Sequence, residues 1–251
     1  MYKTLLTNLR RSAKIISAEP IELIYATITD ILTLFFSFFV LSFFGKIIEV
    51  PLTEFLVNLP NPEKPQSNAI LILIIAFIVL YILLYAILSL LQPVAWKIAH
   101  KLAYNTKETY KKVTMHFLRI NIYLILLLAS INLYQDVFYT INTITGIIVI
   151  NKTFLNISYQ SMLVLLLYLA TISYSKLLPI KASISFAAKR FLKLFPALLV
   201  IALTFVAINY IMVFAAKLHP GLTIILGILL FAPAISFARV YLLLAVKELR
   251  E

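Results

Sequence analysis

No charged residue lies between Lys64 and Lys97, and this uncharged interval constrains the fold more than any other feature of the chain. Its segment 68–92, NAILILIIAFIVLYILLYAILSLLQ, is almost entirely apolar. About 20 apolar residues, at 1.5 Å of helical rise each, cross the hydrocarbon core of a bilayer, which is about 30 Å thick. The segment therefore predicts a transmembrane helix, with the loops on its two sides in opposite compartments.

Composition extends this prediction to the whole chain. Hydrophobic residues make up 63% of the sequence and charged residues 13%, which is more apolar surface than a soluble core of 251 residues could bury. The chain has no Cys and four Gly, which excludes disulfides, thiolate metal sites, a catalytic cysteine and a glycine-rich phosphate loop. The net charge of +12 is explained by the basic cytoplasmic loops of a membrane protein, so we expect no nucleic-acid partner.

The sequence predicts an all-α transmembrane bundle of about six crossings in three hairpins. Proline suits a first helical turn and removes a backbone donor elsewhere, so Pro20 and Pro196 are expected to begin crossings and Pro93 and Pro179 to end them. The first apolar run is expected to be retained, because it is too long for a signal peptide and no small-residue cleavage site follows it. The expected crossings are residues 21–44, 68–92, 119–139, 161–178, 196–216 and 221–246.

Two polar segments, 45–67 and 140–160, are predicted to be outer loops. The third crossing is the most polar, which leaves five crossings or a re-entrant segment as alternatives, and residues 146–150 could enter the membrane interface. Asn151 and Asn156 each begin an N-x-Ser/Thr triplet in the second outer loop, and they are candidate glycosylation sites.

Three amphipathic segments, 2–17, 95–118 and 180–194, are predicted to lie at the cytoplasmic surface of the membrane. Their cations are expected near anionic lipid headgroups and their apolar faces toward lipid. In the second segment, Asn105 and Glu108 have the spacing of a capping box that begins a new helix.

The distribution of positive charge predicts the orientation. Cytoplasmic segments of membrane proteins carry an excess of Lys and Arg. In the topology above, all but four of the 22 Lys and Arg residues lie on the inner side, and this predicts a cell-membrane protein with both termini in the cytoplasm. The four on the outer side are Lys46, Lys64, Lys152 and Lys217.

Two of the amphipathic segments end in a similar motif. Phe117-Leu118-Arg119 and Phe191-Leu192-Lys193 each lead into an apolar run, and Ser185-Phe186 precedes the second copy. This plan of an interfacial elbow helix followed by a hairpin resembles a loose group of uncharacterised prokaryotic polytopic proteins, which includes the membrane domain attached to some glycerophosphodiester phosphodiesterases. The resemblance implies architecture alone, and no activity or functional residue carries over.

Asp30 is the sharpest candidate for a functional residue. It lies well inside the first crossing, where a carboxylate costs about 2.5–3.5 kcal/mol on insertion scales, so it is expected to face the bundle interior and to have a partner. Arg239 lies eight residues before Lys247 as Asp30 lies eight after Glu22, which predicts similar depths. The pair is either a structural link between the first and sixth crossings or a functional charge, such as a proton or cation relay or a substrate counter-ion.

The remaining polar candidates carry less information. Asn121, Asn132 and Asn209 could line a route through the bundle or could bond between helices. Trp96 and several tyrosines, among them Tyr174, are expected in interfacial belts. The three histidines and the few carboxylates form no recognisable metal site or catalytic triad.

These observations favour a multi-pass membrane protein that is not an enzyme, needs no cofactor, and acts by interaction with lipids or with a protein partner. A small transporter or permease subunit that uses Asp30 and the polar third crossing is the alternative. Against it, only Gly227 and Pro233 interrupt the interior of a crossing, whereas transporters usually have broken helices in corresponding positions of their repeats. A lipid-modifying enzyme is disfavoured because no acidic or histidine cluster is recognisable.

Overall fold

The structure, a computed structural model, describes residues 2–58, 67–105, 109–145 and 151–249. These residues are helical apart from short turns, and they include no strand. In chain order the helices are α1 (Tyr2–Ala18), α2 (Pro20–Asn58), α3 (Ser67–Tyr104), α4 (Tyr110–Thr145), α5 (Lys152–Lys176), α6 (Ile180–Leu218), α7 (Pro220–Leu226), a π-helical turn (Gly227–Phe231) and α8 (Ala232–Glu248).

Six stretches of helix among the described residues are long and apolar enough to cross a membrane. Five belong to the single helices α2 to α6, and the sixth combines α7, the π-helical turn and α8. The prediction of an all-helical chain with about six potential crossings is therefore confirmed. The limits of the membrane-embedded parts and the orientation stay predictions.

Helices that follow one another in the chain pack side by side, from α2 against α3 through to α6 against α7. The last helix, α8, returns to the beginning of the chain and contacts α1, α2, α3, α5 and α6. From Val240 to Val246 every residue of α8 is buried. One end of the bundle is therefore assembled around the C-terminal half of α8.

Two helices continue through a proline at which a crossing was expected to end or to begin. Helix α3 continues through Pro93 to Tyr104, and α6 runs from Ile180 through Pro196 without a break. A proline removes one hydrogen bond from a helix, whereas a helix end leaves four N–H and four C=O groups without partners, so continuing costs less in apolar surroundings. The segments predicted as separate amphipathic elbows, 95–118 and 180–194, are thus extensions of the long helices.

The connections are also shorter than expected. Helix α2 continues to Asn58, and α4 and α5 extend into the second predicted outer loop. Asn105 ends α3 in the left-handed conformation with φ 54°, and its N–H donates to the carbonyl of Lys101 at 2.9 Å. It is therefore a C-terminal cap, and the capping box predicted to begin there is not formed by Asn105. Glu108 and residues 146–150 lie outside the described residues.

The sixth apolar stretch is irregular near Pro233, one of the two residues expected to interrupt it. The π-helical turn Gly227–Phe231 ends two residues before this proline, which lacks an N–H for the regular helical ladder. A Cβ added to Gly227 would lie 3.3 Å from Cε of Met212 on α6, so glycine permits the close approach of α6 to the π-helical turn. The turn therefore combines a proline-induced irregularity with a tight helix contact.

Buried apolar side chains concentrate around the C-terminal half of α8, at what we call the basal end. Its largest cluster includes Trp96, Phe117, Ile172, Leu194 and Leu243, each from a different helix. The other end of the bundle, which we call the opposite half, has a smaller cluster between α2, α3 and α4. The basal end consists of α1 and residues 93–104, 110–121, 172–176, 180–195 and 239–248.

Candidate intramembrane charge network

Asp30 lies on the face of α2 that packs against α8, with 1% of its surface exposed. Its partner on α8 is Arg239, which is 7% exposed. Nη1 of Arg239 donates to Oδ2 of Asp30 at 2.5 Å, and Nη2 donates to Oδ1. The hydroxyl of Ser236, one turn earlier on α8, donates to the same Oδ2 at 3.2 Å. The structure thus brings together the two residues that we paired by depth.

Two residues of α3 complete the surroundings of the guanidinium. Oε1 of Gln92 accepts a hydrogen bond from Nη2 of Arg239 at 2.9 Å. The Trp96 ring, which is 4% exposed, lies with its centroid 5.5 Å from Cζ of Arg239, within range of a cation–π interaction. The network therefore joins α2, α3 and α8 at the level of Asp30.

The electrostatic consequence is a buried site without net charge. A lone carboxylate or guanidinium in this environment would carry a large desolvation penalty. Bidentate pairing between Asp30 and Arg239 offsets that penalty, and the bonds with Ser236 and Gln92 use further donors and acceptors. The arrangement penalises the loss of either charged partner, because the other would remain buried and unpaired.

Aromatic rings extend this network toward α4. Trp96 meets the Tyr174 ring of α5 edge to face at 5.6 Å, and Tyr174 stacks on Phe117 of α4 at 4.3 Å. The Tyr174 hydroxyl donates to Oδ1 of Asn121, whose Nδ2 donates to the hydroxyl of Ser89 at 3.0 Å. Trp96 and Tyr174, expected in interfacial belts, pack between helices.

The three asparagines expected to line a route are not brought together. Asn121 is fully buried at the basal end. In the opposite half, Nδ2 of Asn132 donates to the Tyr81 hydroxyl at 2.8 Å, and the Tyr159 hydroxyl donates to Oδ1 of Asn132 at 3.0 Å. Asn209 is exposed on α6. Two of the three residues therefore bond between helices, which was the alternative role.

Two histidines approach the C-terminal end of α5. Nε2 of His100 lies 3.1 Å from the Tyr174 carbonyl oxygen, and Nε2 of His116 lies 3.4 Å from that of Ser173. These carbonyls belong to the last turn of α5, where they have no partner within the helix. With Nε2 protonated, the two imidazoles cap the helix end. Within the described ranges, no group of three or more His, Cys, Asp or Glu residues could hold a metal ion.

A second ion pair lies near the surface, between α2 and α3. Nζ of Lys101 on α3 is 2.5 Å from Oε1 of Glu22 on α2, and the two side chains are 55% and 24% exposed. Exposed pairs of this kind contribute little to stability. Between the two ion pairs, small side chains let the helices approach closely and leave a crevice without room for a water molecule. Those side chains are Ala26, Ala95 and Ala99.

Helix α1 packs on α8 through a partly polar face. Asn8 and Ser12 are buried there, and Ile15 packs against the basal cluster. Leu6 and Leu9 are 50% and 38% exposed, so part of the apolar side of α1 is directed away from the bundle. This orientation leaves the apolar side available to lipid, and its lipid contact stays a prediction.

The two candidate glycosylation sites lie at the beginning of α5. Asn151 caps the helix, because its Oδ1 accepts a hydrogen bond from the N–H of Thr153 at 2.8 Å. Asn156 lies within the helix, and both asparagines are exposed. Their modification stays a prediction.

Several residues of the network were not singled out from the sequence. From the sequence, Gln92 is only the last residue of an expected crossing, Trp96 is an expected interfacial anchor, and Ser236 is not distinguished from the other serines. Gln92 and Trp96 are four residues apart, and Ser236 and Arg239 three apart, so each pair shares one helical face. Gln92 and Trp96 share a face only if the helix continues through Pro93, and the sequence predicted that it ends there. Without that continuity, helical periodicity could not place both residues toward α8.

Comparison of this chain with protein-family models, with curated proteins and with solved structures gives no match.

Proposed function

We propose that this chain is a multi-pass protein of the cell membrane, with both termini in the cytoplasm, that acts by holding lipids or a protein partner at its basal end. In this proposal it is not an enzyme and needs no cofactor. The basal end then lies on the cytoplasmic side, where the excess of Lys and Arg is expected.

The observation that carries the proposal is the closure of the buried charge network. Both carboxylate oxygens of Asp30 accept hydrogen bonds from protein donors, and Arg239 is engaged by Asp30, Gln92 and the Trp96 ring. Charges used in this way hold helices together. Exposed cations of the basal end, among them Arg10 on α1, Lys111 on α4 and Lys193 on α6, are available for external contacts.

The same observation favours interaction over the transporter alternative. A proton or cation relay requires a carboxylate that exchanges partners, and it requires a route on either side of that carboxylate. Asp30 is held by a bidentate partner, and Asn121 and Asn132 are engaged in separate contacts between helices. Proteoliposomes with an interior pH dye test this point for wild type and Asp30→Asn. We expect no flux of protons or alkali cations above that of empty liposomes in either protein. Flux in wild type that is lost in an Asp30→Asn protein shown to be folded, with the wild-type helical circular dichroism spectrum, would establish the transporter.

Native mass spectrometry of the protein in a mild detergent tests the interaction itself. We expect retained lipid molecules or a reproducible co-purifying chain. A bare monomer under conditions that preserve known lipid–protein complexes would contradict the proposal.

The orientation is tested by cysteine labelling, for which the absence of native Cys is an advantage. Lys193→Cys and Lys217→Cys place single thiols at exposed positions toward opposite ends of α6. With a membrane-impermeant maleimide on intact cells, we expect labelling at position 217 and none at 193. The reverse pattern would invert the proposed topology.

A further inference from the structure

The positive charge of α6 has no acidic counterpart nearby in the chain. No Asp or Glu occurs between Asp136 and Glu248, a stretch that contains all of α5, α6 and α7. Lys181, Lys189 and Lys193 are exposed on α6, and none of them forms an ion pair with another residue that the structure describes. Within the described ranges, the three charges are therefore left available to anions from outside the chain.

The length of α6 indicates where these lysines lie in a bilayer. Lys193 and Lys217 bound the uncharged part of the helix, and they are 24 residues apart. This corresponds to about 36 Å of helix, slightly more than the hydrocarbon core of about 30 Å. Lys193 is therefore expected at the edge of the hydrocarbon core, and Lys189, one turn farther out, within the headgroup layer.

The spacing and exposure of Lys189 and Lys193 suit the binding of an anion at this depth. Lys189 and Lys193 are four residues apart, so their side chains are neighbours on the helix surface and repel each other unless an anion lies between them. On the adjoining side of α6, Leu192, Leu199 and Leu203 are 82%, 47% and 58% exposed. An apolar track thus leads from the two ammonium groups toward the middle of the membrane.

We propose that Lys189 and Lys193 bind the phosphate of an anionic phospholipid whose acyl chains lie along Leu199 and Leu203. This inference rests on the proposed function and names the lipid class that the basal end holds. The two ammonium groups supply the charge that the phosphate needs, and the leucines supply apolar contact below it.

A phospholipid fits this surface better than a soluble partner does. A nucleic acid or an acidic protein segment could contact the lysines, but neither extends into the hydrocarbon core. The exposed apolar stripe of α6 begins beside the lysines at Ile184 and Phe191, and it continues at helical spacing to Tyr210 and Phe214. This continuity joins the cationic site to the surface that faces lipid.

Native mass spectrometry tests the site with two probes, phosphatidylglycerol and phosphatidylcholine with identical acyl chains, each titrated into protein in mild detergent. Wild type is expected to prefer the anionic lipid. In Lys189→Gln/Lys193→Gln the preference falls about thirtyfold, which corresponds to about 1 kcal/mol for each lysine. The matched control Lys46→Gln/Lys217→Gln removes the same charge at the opposite half, and it keeps the wild-type preference.

Further variants keep the result interpretable. Lys189→Arg/Lys193→Arg retains both charges and is expected to retain the preference. All variants are expected to unfold at the wild-type temperature, because these lysines are exposed. An equal loss of preference in both glutamine variants would overturn the proposal, because it would reflect net charge alone. Displacement of the lipid by millimolar inorganic phosphate would also overturn it, since the site would then recognise soluble phosphate.

Failure of this inference can be told apart from failure of the proposed function. Wild-type protein that retains other lipids or a protein chain without preferring the anionic lipid contradicts the α6 site only. Flux that requires Asp30 contradicts the proposed function whatever the lipid titration gives.

Discussion

The basal end and the opposite half of the bundle differ in what covers their apolar side chains. At the basal end, Phe117, Ile172 and Leu243 are completely buried by other helices. In the opposite half, Leu203 and Tyr210 of α6 are 58% and 72% exposed, and lipid is their expected cover. Removal from water drives helices together, whereas lipid tails provide no such drive because they are as apolar as leucine. The comparison therefore predicts that the stability of the fold is concentrated at the basal end.

Polar contacts follow the same division. Each half contains an asparagine held by a tyrosine of a neighbouring helix, Asn121 with Tyr174 at the basal end and Asn132 with Tyr81 in the opposite half. Asn121 is fully buried, whereas Asn132 is only partly buried and has a second tyrosine partner. The two sites form a matched pair in which burial is the main difference.

The largest expected difference between the halves comes from deleting a leucine side chain. Leu243→Ala leaves a cavity in the basal cluster, and it is expected to lower the free energy of unfolding by about 2–5 kcal/mol. Leu203→Ala removes the same atoms from an exposed position and should change stability by less than about 0.5 kcal/mol. Unfolding in mixed micelles, followed by circular dichroism, measures both. Equal losses would contradict the division into two halves.

An intermediate difference is expected from the two tyrosines. Tyr174→Phe leaves Oδ1 of the buried Asn121 without its donor, which should cost about 1–3 kcal/mol. Tyr81→Phe removes one of the two tyrosine contacts of Asn132, and about 0.5–1.5 kcal/mol is expected. The same unfolding measurement compares them. A larger loss for Tyr81→Phe would mean that burial does not rank these sites.

A small loss is also expected at the turn between α6 and α7 in the opposite half. Nδ1 of His219 accepts a hydrogen bond from the N–H of Gly221 at 3.0 Å and so caps the start of α7. His219→Ala should cost about 0.5–1 kcal/mol, and His219→Asn, which can cap in the same way, should restore most of it. Thermal unfolding of the three proteins checks this order. A loss as large as that of Leu243→Ala would contradict the prediction that the stability of the fold is concentrated at the basal end.

The sequence was sufficient for the helical class, for six potential crossings and for the pairing of Asp30 with Arg239. Those inferences rest on the length of apolar runs and on the cost of a buried charge, both of which are local properties. The continuation of α3 through Pro93 was not predictable in this way. It depends on the apolar surroundings of the helix, which make an exposed helix end more costly than one lost hydrogen bond.

The rest of the network depended on tertiary packing. Trp96 and Tyr174 have the amphipathic character of interfacial residues, and nothing in their immediate sequence distinguishes that role from a buried one. Their places are set by the return of α8 across α3 and α5, a contact between distant parts of the chain. The roles of His100 and His116 likewise required the end of α5 to be known.

Asp30 and Arg239 neutralise each other in a buried ion pair that holds α2 against α8, and this pair is central to the account. A double-mutant cycle of unfolding free energies tests it with wild type, Asp30→Asn, Arg239→Gln and the double variant, and Lys101→Gln at the exposed pair serves as control. Each single variant is expected to lose about 3–5 kcal/mol, and the double variant clearly less than the sum of the two, because it leaves no uncompensated charge. The control should change stability little. Additive losses in the cycle would contradict the claim.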